Sequence, residues 1–291
     1  MMRSLTNLNV CTNPARVHRP LIAARRTHYA PADNHATGGF AGNSPSMGFR
    51  GERNALLCKL ERFARLSFDE VTAVETLSER PKSLEAEHTL FRDGELPLHV
   101  CLIVEGFAYR YKLTADGRRQ ILGYLLPGDL CDVEFADGNR SDHSVAVLGG
   151  ALVASITLTR INELRTLHPR IERAFLLASL AERSILREWL TNVGQRSAVE
   201  GISHLICEML ARLRAIGRFS PGLPIELPVS QAAMADSIGV TTVHANRSLK
   251  LLRKEGLIAI RRQKLTILNP ERLARIAGFD QGYLGLDRSP G

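Results

Sequence analysis

No run of 18 or more apolar residues occurs in the 291-residue chain, so no membrane-spanning helix is expected. No apolar segment follows the basic N-terminus as an export signal requires, and a cytoplasmic protein is expected. Cysteine is sparse: Cys11, Cys58, Cys101, Cys131 and Cys207 lie far apart, with no C-x-x-C pair. A zinc or iron–sulfur site needs thiolates close enough to surround one metal, so neither metal nor cofactor is expected. Scattered thiols fit a reducing compartment instead. Histidine offers no metal motif either. His88, His99 and His143 are dispersed, without the H-x-H and nearby carboxylate that a metal enzyme on a small barrel would use. No catalytic role is expected.

What the chain does have is positive charge, unevenly placed. Residues 1–50 carry 6 Arg and 1 Asp, residues 51–195 carry a net −3, and residues 196–275 carry 13 basic against 6 acidic groups. The structured positive charge is thus concentrated in the C-terminal third, which suits a polyanion partner there. Hydrophobic content of 44% and charged content of 23% are ordinary for a globular protein, and the length allows two domains.

The texture changes along the chain. Residues 1–50 are rich in Asn, Pro, Gly, Ala and Arg and read as a disordered extension. Met47 stands just before the first foldable segment and is an alternative start. Residues 52–80 read as helical, with Ser67 capping a helix through Glu70. From Glu85 to Thr159 short apolar runs, among them His99–Glu105, Phe107–Leu113, Val145–Leu148 and Ala151–Leu158, alternate with turns such as Asp116-Gly117 and Pro127-Gly128. Phe107, Tyr109, Tyr111 and Leu113 alternate as a half-buried strand does. Several short strands at even spacing predict an antiparallel jelly-roll barrel over 51–165.

A long helix is expected next, over 166–193. Ile171, Phe175, Ala178, Ile185 and Trp189 follow a 4,3 spacing, interrupted by Glu182, that predicts a seam against the same helix of a second copy. The alternative is packing on the helix's own barrel. Residues 194–275 then read as a winged helix-turn-helix, with a tail over 276–291.

The segment "VSQAAMADSIGVTTVHANRSLKLLRKEGLI", Val229–Ile258, carries that reading. Ser230 caps a first helix, Gly239 makes a left-handed turn, and Thr241 caps a second helix to about Lys254. Val243, Leu249 and Leu252 are expected to pack inward. In a helix-turn-helix the N-terminal residues of the second helix meet base edges in the major groove. Double-stranded DNA is therefore the expected partner, with Thr242, His244, Asn246 and Arg247 facing it. A guanidinium can bond guanine O6 and N7 together, which makes Arg247 the first candidate reader. Ser230, Gln231 and Lys250 are candidate phosphate contacts, His244 can meet a phosphate or a base, a phosphate is the alternative contact of Arg247, and Thr241 at the cap is a further candidate DNA contact. Leu257–Ile260 and Leu265–Leu268 pair as a hairpin, with Arg261, Arg262 and Lys264 at its tip beside the DNA backbone.

With "FRDGE", "LIVEGFAYRY", "DGRRQILGYLLPGDL" and "IGVTTVHANRSLKLLRKEGLI", the chain resembles the Crp/Fnr family of bacterial transcription regulators over roughly residues 52–275. The resemblance implies an α+β protein: an N-terminal antiparallel β jelly-roll barrel, a long dimerisation helix and a C-terminal winged helix-turn-helix. It implies a homodimer reading a palindrome, RNA polymerase as a partner, and a small-molecule effector in the barrel. Cyclic-nucleotide-binding relatives carry a Gly-Glu pair and an Arg before Ser or Thr in that barrel. Here Asp132-Val133 stands at the first place and His143 precedes Ser144 at the second. With Glu134 and Asp142 the site is acidic, which repels a phosphate. Arg140 is the alternative phosphate partner. The expected pocket is thus Asp132, Glu134, His143 and Ser144, without cyclic AMP. Val243 stands where many members carry a base-reading Glu.

Overall fold

The computed structural model describes residues 53–219, 227–261 and 264–286. The expected N-terminal extension, part of the Gly217–Pro224 loop, Arg262 and the last residues of the tail lie outside the described residues. Two short helices come first, α1 (Ala55–Leu60) and α2 (Phe68–Glu75). Ser67 takes the Glu70 N–H while its own N–H donates to the Glu70 carboxylate, the reciprocal cap expected from the sequence.

An antiparallel sheet follows, from β1 (Lys82–Leu84), β2 (Thr89–Phe91), β3 (His99–Leu113), β4 (Arg119–Leu125) and β5 (Ser144–Thr157). Its order is β1-β5-β3-β4, with β2 also paired to β5. Four of the expected short runs are in fact two long strands. His99–Glu105 joins Phe107–Leu113, and Val145–Leu148 joins the run from Ala151, with the register shifting on β3 between Ile103 and Phe107. Gly106, at φ 80°, explains the first junction: a Cβ there would lie 2.5 Å from Gly150 O. Both strands bend where glycines meet, and pairing continues beyond.

Beyond the sheet run α3 (Leu158–Leu167), α4 (Pro169–Gly194) and α5 (Ala198–Ala215). The helix-turn-helix is α6 (Gln231–Ile238) and α7 (Thr242–Lys254), followed by the hairpin β6 (Ile258–Arg261) and β7 (Lys264–Ile267). A further helix, α8 (Pro270–Ala277), closes the 194–275 region, and its last two residues and a 3-10 turn at Gln281–Leu284 lie in what the sequence suggests is tail. Ala277 and Leu284 are buried there, so chain order extends past 275.

One core joins part of the sheet to α1–α3 and the first half of α4; a second joins Tyr109, Ile121, Tyr124 and Leu148 of the sheet and Trp189 of α4 to α5, α6, α7 and α8. On α4 the structure corrects the expected seam. Ile171, Phe175 and Trp189 are 0, 3 and 4% exposed within a single chain, and Ala178 and Ile185 are partly buried beside them. This face packs on its own chain because it carries the bulkiest side chains of the helix. The outward face is a different one, with Leu176, Leu180, Leu186, Leu190 and Val193 exposed.

Candidate nucleic-acid interface and sensor cleft

The local geometry of the helix-turn-helix follows from three caps. Ser230 Oγ accepts the Ala233 N–H at 3.1 Å, Gly239 closes α6 at φ 69°, and Thr241 Oγ1 accepts the His244 N–H at 3.3 Å. Each satisfies backbone groups that the helix itself leaves unpaired. Ala245, Ser248, Leu249 and Leu252 then face inward. Thr241, Thr242, His244, Arg247 and Lys250 face outward, as do Ser230 and Gln231 at the start of α6. Asn246 is half-buried, its Oδ1 enclosed without a partner among the described residues. Val243 departs from expectation: it is 62% exposed rather than packed inward. Helical phase explains this, because the inward stripe is set by Ala245, Leu249 and Leu252, and Val243 lies opposite it.

Across the hairpin Arg261 pairs in register with Lys264 at the ends of the two strands, and Arg261 is exposed. The α7 helix carries Arg247, Lys250, Arg253 and Lys254 and no acidic residue. α7 thus presents an exposed cationic face, with a basic hairpin next to it in sequence.

Barrel and helix-turn-helix are fastened together. Arg119 Nε on β4 donates to Asp236 Oδ2 of α6 at 2.9 Å, and the Tyr124 hydroxyl lies 2.8 Å from Ser237 Oγ. Beneath them runs a buried ionic network. Asp129 takes Lys59 Nζ at 2.7 Å and Arg212 of α5 at 2.5 Å. Glu182 of α4 lies 3.5 Å from Lys59 and 3.4 Å from Arg110. Burial opposes the charge on Asp129, but the two cations outweigh it and hold the carboxyl at about 2. Glu182, the misfit of the expected seam, faces its own barrel because its partners are there. Glu208 of α5 accepts from Trp189 Nε1 and from the Tyr283 hydroxyl, both at 3.0 Å.

The expected effector residues converge only in part. Asp132, Glu134 and His143 line a cleft of about 420 Å³ between β4, the 132–143 segment and α4. Ser144 does not: it is buried, and its Oγ accepts the Asp93 N–H at 3.0 Å. Asp132 sits at φ 43°, a strained conformation for a residue with a Cβ. Arg110 bonds it at 3.2 Å, and His143 Nε2 lies 3.0 Å away at an angle outside that of a hydrogen bond. Burial disfavours an ionised Asp132, yet Arg110 and His143 keep its carboxyl at about 2. Burial likewise disfavours a charged His143, but Asp132 and Asp142 raise its pKa above the usual imidazole value. Arg110 is therefore spent on Asp132 and Glu182, and Arg212 on Asp129 and Glu208, while the exposed Arg183 also lines the cleft. Arg140 lines the rim and donates to Gly94 O at 2.9 Å. Among the described residues no cluster of His, Cys, Asp and Glu is arranged to hold a metal ion.

A sheet domain joined by a long helix to a winged helix-turn-helix defines a DNA-binding protein with an attached sensor-like barrel. Residues 81–167 match the cyclic nucleotide-binding domain, and residues 202–276 match the Crp-like helix-turn-helix domain. The chain is 31% identical over 196 residues to the transcriptional activatory protein AadR of Rhodopseudomonas palustris, covering 66% of this chain and 78% of that one. It is 28% identical to the transcriptional activator protein FnrL of Cereibacter sphaeroides, covering 75% and 88%. FixK2 from Bradyrhizobium japonicum shares the fold, with TM-score 0.60 and 21% identity over 69% of this chain and 98% of that one. The chain belongs to the Crp/Fnr family of DNA-binding transcription regulators. Among the described residues no helix is long and apolar enough to cross a membrane.

Proposed function

We propose that this regulator works as a cytoplasmic homodimer that reads a palindromic operator with α7 and performs no catalysis. The observation that carries this is the outward face of α7, with Arg247 and Lys250 exposed on a helix that has no acidic residue. Arg247 meets a guanine, with Thr242, His244 and Asn246 as neighbouring base-side contacts. Ser230, Gln231, Thr241, Lys250 and the hairpin residues Arg261, Arg262 and Lys264 hold phosphates and set the register. RNA polymerase is the partner at the promoter.

A second copy is expected on the leucine face of α4. Leu176, Leu180 and Leu190 are spaced 4 and 10, which keeps them on one stripe of a helix, and Leu190 is 73% exposed. Two-fold symmetry then repeats each half-site contact. The barrel cleft does not take cyclic AMP: Arg110 is engaged by Asp132 and Glu182, and free phosphate would face Asp132, Glu134 and Asp142. Whatever small molecule enters there is of another kind.

The test is a mobility shift of the full chain on DNA selected from genomic fragments, beside a scrambled duplex. Wild type binds the selected site and Arg247→Ala loses about 1–3 kcal/mol, confined to one base pair per half-site. Equal binding to the scrambled duplex contradicts sequence reading.

A further inference from the structure

The outward stripe of α7 is Val243, Arg247, Lys250 and Lys254, spaced 4, 3 and 4, all of them exposed. These four lie within about 30° of the direction opposite the buried Ala245, Ser248, Leu249 and Leu252. A single exposed valine is ordinary on a protein surface. This one is different in place. It is the apolar member of a stripe otherwise made of cations, and it stands in the first turn, at the end of the helix that enters the groove. The cations draw the helix onto the polyanion, and the branched side chain, 62% exposed here, is carried to the base edges with them.

At a base edge, valine has neither donor nor acceptor to offer. The one apolar group in the major groove is the thymine C5-methyl. A cytosine in the same place would bury its N4 amino group unpaired against the two valine methyls, at the cost of a lost hydrogen bond to water. We infer that Val243 is a specificity-determining residue which selects thymine, through its methyl group, at one base pair of each half-site. The inference rests on the DNA-reading role proposed above. Thr242 also carries a methyl, but it lies to the side of the stripe, nearer the buried face.

Uracil lacks that methyl and is otherwise the same base, so it isolates the contact. On the selected operator, each thymine of one half-site is replaced in turn by uracil, and binding of the full chain is titrated. Wild type loses affinity about fourfold at one position, the equivalent of one methyl group left in water. Val243→Ser binds the thymine and uracil duplexes alike at that position, Val243→Ile keeps the difference, and Thr242→Ser keeps it too. The inference is overturned if no thymine in the half-site responds, or if the response survives Val243→Ser. In either of those results the operator is still bound in preference to scrambled DNA, and the reading role of α7 stands. Equal affinity for operator and scrambled duplex instead removes both. Val243 is exposed and makes no core contact, so the serine variant folds, and its unfolding midpoint in urea matches wild type.

Discussion

Asp129 shows at the scale of one residue how this fold is held. Its carboxylate is buried, pairs with Lys59 and Arg212, and accepts the Leu126 N–H at 2.8 Å. Its pKa falls from 3.8 to about 2 on folding. A lowered carboxyl pKa stabilises the fold above 3.8, and the contribution is lost as pH falls toward 2; here it is about 2 kcal/mol. At pH 7, Asp129→Asn removes the carboxylate that both cations share, leaving Lys59 with Glu182 at 3.5 Å and Arg212 with Glu208 at 3.4 Å, and costs about 3 kcal/mol in urea unfolding. The gap between variant and wild type narrows as pH drops through 4 to 3. A gap independent of pH would remove the carboxylate as its source. Asp132 makes a second prediction. Because Arg110 already serves it, calorimetry with cyclic AMP and cyclic GMP gives no heat of binding, and a saturable isotherm would contradict the cleft's assignment. At this scale the caps at Ser67, Ser230 and Thr241 were legible in sequence, since each involves groups three residues apart. The partners of Asp129 were not. Lys59 and Arg212 lie 70 and 83 positions away, and nothing local announces them. The place of Ser144 was missed for the same reason, its bond running to Asp93.

Among the elements, α4 is where sequence and structure part. Both of its faces carry apolar residues at spacings of three and four, so periodicity alone leaves its rotation open. The barrel decides it. Phe175 and Trp189 enter pre-existing cores, and the smaller, unbranched-at-Cβ leucines are left outside. The two faces therefore answer differently to substitution. Leu180→Glu with Leu190→Glu gives a folded monomer by light scattering, with an unfolding midpoint close to wild type. Phe175→Ala costs about 3–5 kcal/mol of stability through the cavity it opens. A double glutamate variant that stays dimeric would move the interface elsewhere. The α6–α7 pair was legible almost residue by residue, because a cap, a left-handed glycine and a second cap leave little freedom. Val243, exposed where burial was expected, and Asn246, half-buried where exposure was expected, were the exceptions within it.

For the whole molecule, the ionic network and the β4–α6 fastening make the barrel and the reading head one mechanical unit. Tyr124 lines the cleft beside α4, bonds Ser237 of α6, and accepts Arg212 on its carbonyl at 3.1 Å. The strand that lines the cleft is thus also one that holds the helix-turn-helix. Fold class was readable from the change in texture after Thr159 and from the concentration of charge beyond 196. The ordered segment after 275 was not, since the aromatic contacts of Phe279 and Tyr283 with His204 are long-range. The central claim is that two copies each present α7 to one half-site. Selection of bound sequences from a random library by the full chain tests it most directly. The enriched sequence is an inverted repeat whose half-sites lie about 10 bp apart, centre to centre; a lone asymmetric site, or no enrichment at all, would rule out reading by two copies.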